Sequence, residues 1–303
     1  MFKVIHHPDY DATSVDDAHR FPMRKYLETA ALLREAGLIT DDPAHVPEPA
    51  SFELISAAHD PVYVDAIFNQ TVDRKTAREI GFEVTPDVAM RSRLSCMGTL
   101  MAARAALRDG LACNAAGGSH HAKSSHGAGF CVFNDVAVAI RGLQSEGAIG
   151  RALIVDCDVH QGDGTAEIFQ DDDRVFTFSL HCEDNWPTRK VASDLDIGLD
   201  AGEGDGVYLR HLRRGLNEAF EAFSPDIVFY NAGVDPHADD RLGKLKLTDD
   251  GIRRRDRAVI RFVRELGLPF VGVMGGGYSR DVPHLARLHA MMFEEAARAQ
   301  TLA

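Results

Sequence analysis

The densest group of reactive side chains is Val155-Asp156-Cys157-Asp158-Val159-His160-Gln161-Gly162-Asp163-Gly164. Side chains alternate between faces along extended backbone, so Asp156, Asp158 and His160 share one direction. Two carboxylates and an imidazole facing one buried point call for a cation, because buried charge is costly without a partner. Asp163 reads differently: an Asp before Gly-Thr-Ala-Glu is a sound N-cap for a helix that begins near Gly164. A further carboxylate comes from Asn231-Ala-Gly-Val-Asp235-Pro-His237. It completes a set of Asp158, His160 and Asp235 that leaves coordination positions open. Structural zinc sites are closed and rich in thiolate, whereas catalytic ones keep room for water and substrate. Oxygen and imidazole donors without thiolate suit Zn²⁺ and also admit Fe²⁺, Co²⁺ or Mn²⁺.

Two other clusters supply groups that such an ion can use. Gly117-Gly118-Ser119-His120-His121-Ala122-Lys123 offers tandem imidazoles in a Gly-flanked loop. Imidazole titrates near neutrality and is the usual proton carrier. Out of context such a pair reads as two surface histidines, and His6-His7 is read as structural for that reason. Met274-Gly275-Gly276-Gly277-Tyr278 lacks the glycine spacing and the following helix of a phosphate loop. It reads instead as a flexible segment presenting a phenol, a group able to donate to an oxyanion.

The elements that must position these groups alternate along the chain. Apolar, β-rich runs occur at residues 2–5, 152–155, 175–178, 226–230 and 269–274. Helical patterns fall at residues 22–36, 97–107, 206–223 and 249–266, the first with Gly37 as its C-cap and the last with an Arg-rich solvent face. Strands alternating with helices imply an α/β fold with a mostly parallel central sheet covered on both faces. Such sheets collect ligands at the carboxyl ends of their strands. The polar clusters at 156–163, 231–240 and 275–278 each follow a strand, so adjacent strand ends are expected to converge on one site. No repeat or linker divides the sequence, and one domain over residues 1–303 is the economical reading.

Composition limits the partners. Lys and Arg number 33 against 46 Asp and Glu, a net charge of −13 that argues against a nucleic-acid binder. No apolar window is long enough to span a membrane, and the first residues lack the pattern of a signal peptide. Cys96, Cys113, Cys131, Cys157 and Cys182 are odd in number and form no C-x-x-C, as expected of free thiols in a reducing compartment. A cytoplasmic location is expected.

In order and spacing, HHAK…GFCVFND, D-x-D-x-H-x-GDGT, NAGVDPH and GGGY resemble the histone deacetylase superfamily of zinc-dependent deacylases. The resemblance spans residues 5–290, and His19-Arg-Phe-Pro-Met23 and Arg91-Ser-Arg-Leu look most like class IV and related bacterial members. It implies the arginase-like fold, with Asp158, His160 and Asp235 as zinc ligands and Tyr278 as the carbonyl-polarising group. His120 and His121 match the tandem active-site histidines, with Asp156 and Asp163 as their carboxylate partners. Gly129 and Phe130 match the wall of an acyl-lysine tunnel, Trp186 stands in for the opposite aromatic, and Gly276 and Gly277 contact substrate. Asp156, Asp158, His160, Ser179 and Leu180 match an inner monovalent-cation site, usually potassium.

Two positions depart from the family. Gln161 stands where many members have a second His and receives no catalytic role, and Trp186-Pro187-Thr-Arg-Lys190 replaces the common tunnel segment. The implied reaction is hydrolysis of N-ε-acyl-lysine to a carboxylic acid and a free amine, with His121 as general base and acid. Three rival readings share parts of this pattern. Acetylpolyamine hydrolysis shares the chemistry. A two-metal ureohydrolase needs a second paired carboxylate, which the stretch around Asp235 does not supply. A silent acyl-lysine binding protein predicts the loss of a ligand or of the tyrosine.

Overall fold

Strands buried on both faces need apolar residues on consecutive positions, and the central strands have them. The computed structural model describes residues 2–40 and 42–300, so Met1, Asp41 and residues 301–303 of the expected unit lie outside the described residues. Seven strands form one parallel sheet: β1 (Lys3–Ile5), β2 (Leu111–Asn114), β3 (Ala152–Asp156), β4 (Val175–Cys182), β5 (Leu195–Leu199), β6 (Ile227–Asn231) and β7 (Phe270–Val273). Their spatial order is β1-β2-β7-β6-β3-β4-β5. Every residue of β3 (ALIVD) and β6 (IVFYN) is buried. All five expected strands are present, within a few residues of their expected ends.

β2 and β5 were not expected from the sequence, for physical reasons. β2 is only Leu-Ala-Cys-Asn, which carries little β-propensity, and it is buried by its neighbours. β5 is the half-exposed edge strand.

Ten helices are described. α1 (Lys25–Glu35), α2 (Phe52–Ser56), α3 (Pro61–Phe68), α4 (Arg74–Ile80) and α5 (Pro86–Asp109) lie between β1 and β2. α6 (Asp135–Ser145) leads to β3, α7 (Asp163–Phe169) to β4, α8 (Asp205–Ala222) to β6 and α9 (Asp249–Glu265) to β7, while α10 (Val282–Gln300) follows the sheet. α8 and α9 match the expected helices closely, and α1 ends just before Gly37. α5 begins well before the expected residue 97, because Thr85 caps it and Pro86 opens it. Among the described residues, no helix is long and apolar enough to cross a membrane.

The chain leaves β3 towards β4 on one side and leaves β6 towards β7 on the other, although β3 and β6 are paired neighbours. That reversal opens a crevice at their carboxyl ends, the usual ligand position in such sheets. A buried guanidinium straps the crevice from behind. Arg255 of α9 is 0% exposed and donates to the carbonyls of Cys157 (3.3 Å), Ala232 (3.2 Å) and Gly233. It also pairs with Asp256 at 2.8 Å, and that carboxylate accepts the Tyr230 hydroxyl at 2.6 Å. The segments after β3 and β6 are thus held together by one side chain.

Arg255→Met leaves the Asp256 carboxylate buried without its cation and removes the guanidinium donors from the carbonyls of Ala232 and Gly233, while the Cys157 carbonyl keeps only the Tyr208 hydroxyl at 3.3 Å. The expected loss is about 3–5 kcal/mol of unfolding free energy. Urea unfolding checks this, and a midpoint equal to that of the parent protein would show that the strap contributes nothing.

Candidate active site

Asp158 and His160 follow β3, and Asp235 follows β6, so the switch-point crevice brings them together. The His160 Nδ1 lies 3.0 Å from Asp158 Oδ1 and 3.1 Å from Asp235 Oδ2. All three side chains are buried, and their donor atoms lie within 4.8 Å of one another. Backbone amides hold both carboxylates: Gly276 N donates to Asp158 Oδ2 at 2.7 Å and Val159 N to Asp235 Oδ1 at 2.8 Å. Position 276 must be glycine, since a Cβ there would collide with the Asp235 carboxylate and stand 2.5 Å from Asp158 Oδ2.

Electrostatics show how much this group wants a cation. Burial works against charge on His160, yet hydrogen bonds to Asp158 and Asp235 outweigh it and raise its pKa to about 10. Asp235 is pushed up to about 7 by burial and by the neighbouring Asp158. Burial opposes ionisation of Asp158 as well, but the charges on His120 and His160 hold it well below the usual carboxylate range. Two carboxylate oxygens, one imidazole nitrogen and no thiolate are the donor chemistry of a catalytic Zn²⁺ site with three protein ligands. The residues fit that ion.

Both tandem histidines enter this crevice from the loop after β2. Their ring centroids are 4.0 Å apart, but their environments differ. His120 Nδ1 donates to Asp156 Oδ2 at 2.6 Å, and its Nε2 lies 3.7 Å from Asp158 Oδ1. Burial lowers its basicity, yet Asp156 and Asp158 together raise its pKa to about 9. His121 Nδ1 donates to Asp163 Oδ1 at 2.7 Å, and Lys123 neutralises the same carboxylate from 3.1 Å. Burial and then the charge on His120 push His121 down to about 3. One ring is held cationic and the other neutral. The N-cap expectation for Asp163 does not hold: Asp163 lies within the first turn of α7, makes no side-chain cap bond, and pairs with His121 and Lys123.

Tyr278 follows β7 on a loop in which each residue is tied down. Gly275 N donates to Gly117 O at 3.1 Å, Val234 N to Gly276 O at 2.8 Å, and Tyr278 N to Asp240 Oδ2 at 2.7 Å. Its phenol ring lies 6.1 Å from the His160 ring, and burial followed by the Asp158 charge keeps the hydroxyl protonated far above neutral pH. Phe130 packs 5.7 Å from Tyr278, and Trp186, 46% exposed, packs 4.5 Å from His121. Gly129 lies between these walls at φ +53°, where a Cβ would stand 2.7 Å from the His121 ring and 2.8 Å from Trp186. Gly277 lies beneath, its carbonyl accepting from Lys25. Ser179 pairs in register with Asp156, and Leu180 is the next residue of β4, both buried.

Sequence reasoning missed several residues. Lys25, fully buried at the start of α1, donates to Gly275 O at 2.9 Å and Gly277 O at 3.4 Å, beneath the loop that bears Tyr278. Asp240 anchors Tyr278, and Asn185 lies 3.3 Å from His160 Nε2. Gln161, which received no catalytic role, bonds to Val191 O and Asp196. A second cluster, His237, Asp249 and His284, also lies within 4.8 Å. The His237 Nδ1 accepts the Asp239 amide at 3.1 Å, so in the neutral ring Nε2 carries the proton and donates to Asp249 at 2.9 Å. That arrangement is a hydrogen-bonded pair and not a metal ligand set.

Comparison with known proteins agrees with this geometry. Residues 19–296 match the histone deacetylase domain. An uncharacterized protein of Picosynechococcus sp. is 45% identical over 97% of this chain and 98% of its own length. Histone deacetylase 2 of Arabidopsis thaliana is 32% identical over 97% of this chain and 78% of its own. The crystal structure of a histone deacetylase homolog from Aquifex aeolicus superposes with a TM-score of 0.82 at 27% identity, covering 98% of this chain and 84% of that one. The chain therefore belongs to the histone deacetylase family, a family of deacetylase hydrolases.

Proposed function

We propose that the protein hydrolyses the amide of N-ε-acyl-lysine in proteins or peptides, using one zinc ion held by Asp158, His160 and Asp235. The observation that carries this reading is two imidazoles in contact, each fixed on its own carboxylate, and a phenol gathered around one buried group of Asp158, His160 and Asp235. When bound, zinc supplies Lewis-acid polarisation of the amide carbonyl and lowers the pKa of water towards ~7.

The chain's own residues do the rest. His121 is neutral, and its Nδ1 is fixed on Asp163, so its Nε2 accepts the proton of the attacking water and later returns it to the leaving amine. His120, paired with Asp156, stays cationic and stabilises developing negative charge. Tyr278 donates to the tetrahedral oxyanion, a contact worth roughly 3 kcal/mol. Gly129, Phe130 and Trp186 line the approach, with Gly276 and Gly277 beneath it. Asp156, Asp158 and His160, together with Ser179 and Leu180, are read as an inner monovalent-cation site for potassium, a reading supported by the β3–β4 register. The five cysteines are all free and buried, in keeping with a cytoplasmic location. Acylated polyamines would use the same chemistry and differ only at the entrance.

Asp158→Ala is expected to lose both bound zinc and turnover, as read by elemental analysis and by release of acid from an acetyl-lysine peptide. Normal metal content with full activity would remove Asp158 from the ligand set. Tyr278→Phe should lower kcat about 10²-fold and leave KM nearly unchanged; an effect confined to KM would contradict the oxyanion role.

Metal binding should also release a proton. The His160 pKa is raised, to about 10, so the metal-free protein carries this proton at neutral pH and the ion must displace it. Zinc affinity therefore rises with pH, by about tenfold per unit between neutrality and that value. Calorimetry in buffers of different ionisation enthalpy reads the count directly, and zero protons released would refute the ligand assignment.

A further inference from the structure

The rim of the candidate active site has a sign opposite to that of the whole chain, whose net charge is −13. The Arg20 guanidinium lies 5.0 Å over the Phe130 ring, which in turn packs 5.7 Å from Tyr278. Two surface depressions meet at Arg20. One, of about 630 Å³, carries Arg24, Arg241 and Arg280, the last two adjoining Asp240 and the Tyr278–Ser279 segment. The other, of about 460 Å³, carries Arg74 and Arg78 beside Gly81 and Phe82, and Phe82 stacks 5.9 Å from Phe130. All six guanidinium groups belong to exposed residues.

The acids facing these six arginines in the two depressions are three: Asp17, Glu28 and Glu83. Arg24 shares Asp17 and Glu28, each at 3.7 Å. Arg20, Arg74, Arg78, Arg241 and Arg280 make no ion pair among the described residues. These charges are uncommitted. Screening confines the field of exposed charges to about 8 Å at physiological ionic strength. A substrate at the mouth therefore meets this collar and not the chain's average charge. Guanidinium stays charged at all working pH values, and its fork matches a carboxylate.

We propose that this arginine collar selects acyl-lysine within acidic polypeptide sequence and disfavours acylated polyamines, whose remaining amines are cationic. The inference rests on the deacylase reading above and names its substrate class. The collar leaves the reacting groups untouched: it raises the encounter rate and affinity of acidic flanks and repels polycations before they reach Phe130.

The test uses the full-length, zinc-loaded protein with three substrates: an acetyl-lysine peptide with Asp and Glu flanks, the same peptide with Lys and Arg flanks, and an acetylated polyamine. The acidic peptide should exceed the basic one by about tenfold in kcat/KM at low salt, with the gap closing near ~0.5 M salt. The polyamine should be poorest. Charge reversal by Arg20→Glu with Arg280→Glu should abolish or invert the preference, while turnover of a small uncharged acetyl-lysine amide stays unchanged. Equal turnover of the two peptides, or a polyamine that outruns both, overturns the collar. Fluorescence anisotropy of labelled peptides reads the collar without catalysis: equal affinities also overturn it. An acidic preference in binding with no hydrolysis of any substrate supports the collar and overturns the deacylase reading instead.

Discussion

Two carboxylates buried at one point, Asp158 and Asp235, are the constraint on which the rest of the structure depends. Neither is affordable alone, since an isolated carboxylate in a protein interior either finds a partner or takes up a proton. The protein answers with directed donors. The amides of Val159 and Gly276 and the ring of His160 converge on the pair from the segments after β3 and β7. Val159 and His160 tie the end of β3 to Asp235 after β6, and Gly276 ties the end of β7 to Asp158 after β3, so satisfying the charge also fixes the relative positions of β3, β6 and β7. The remaining electrostatic demand is for positive charge at the centre, and the unpaired side of the group faces the histidines.

Identity of residue type does not decide role here; surroundings do. His120 and His121 are chain neighbours with rings in contact, yet one is held cationic and the other neutral. The difference lies in what stands behind each. Asp156 serves His120 together with the nearby Asp158, whereas Asp163 divides its attraction between His121 and Lys123. A charged His120 then makes charging His121 harder still. Two imidazoles side by side thus rest in opposite charge states without any conformational change, because their carboxylate partners differ.

Much of this was legible in the sequence because it is local. Consecutive apolar residues marked β3 and β6, and the run from Asp156 to His160 marked a polar cluster at the end of a strand, although the extended alternation expected there stops at Asp156, which pairs with His120 while Asp158 and His160 meet Asp235. What escaped has no local signal. Lys25 and Arg255 look like ordinary surface cations in an amphipathic helix, and they become buried only because distant loops offer them carbonyls. β2 is too short and too plain to read as a strand, yet it carries the loop of the tandem histidines. Asp163 shows the converse: its local context favoured a helix cap, and a tertiary contact with His121 overrode it. A rule for local propensity yields wherever a buried imidazole needs a carboxylate more than a helix end does.

The layering of charge from the crevice outward separates two tasks that one surface could not perform together. Under the proposed function, the buried Asp158, His160 and Asp235 and the two histidines address an amide carbonyl, a group that every acylated amine shares, so this layer has little means of telling substrates apart. Between lies an aromatic passage of Phe130, Trp186 and Tyr278, which favours a neutral chain over a charged one because burying an unpaired ammonium is costly. Acylation is what makes a lysine side chain neutral, and so in the proposed reading the passage selects the modification itself. In that reading only the rim, where Arg20 lies over the Phe130 ring, meets the residues that flank the modified lysine. Under the proposed reading, discrimination by the charge of the flanking groups resides in the outermost layer, and the rim can change its charge apart from the groups within.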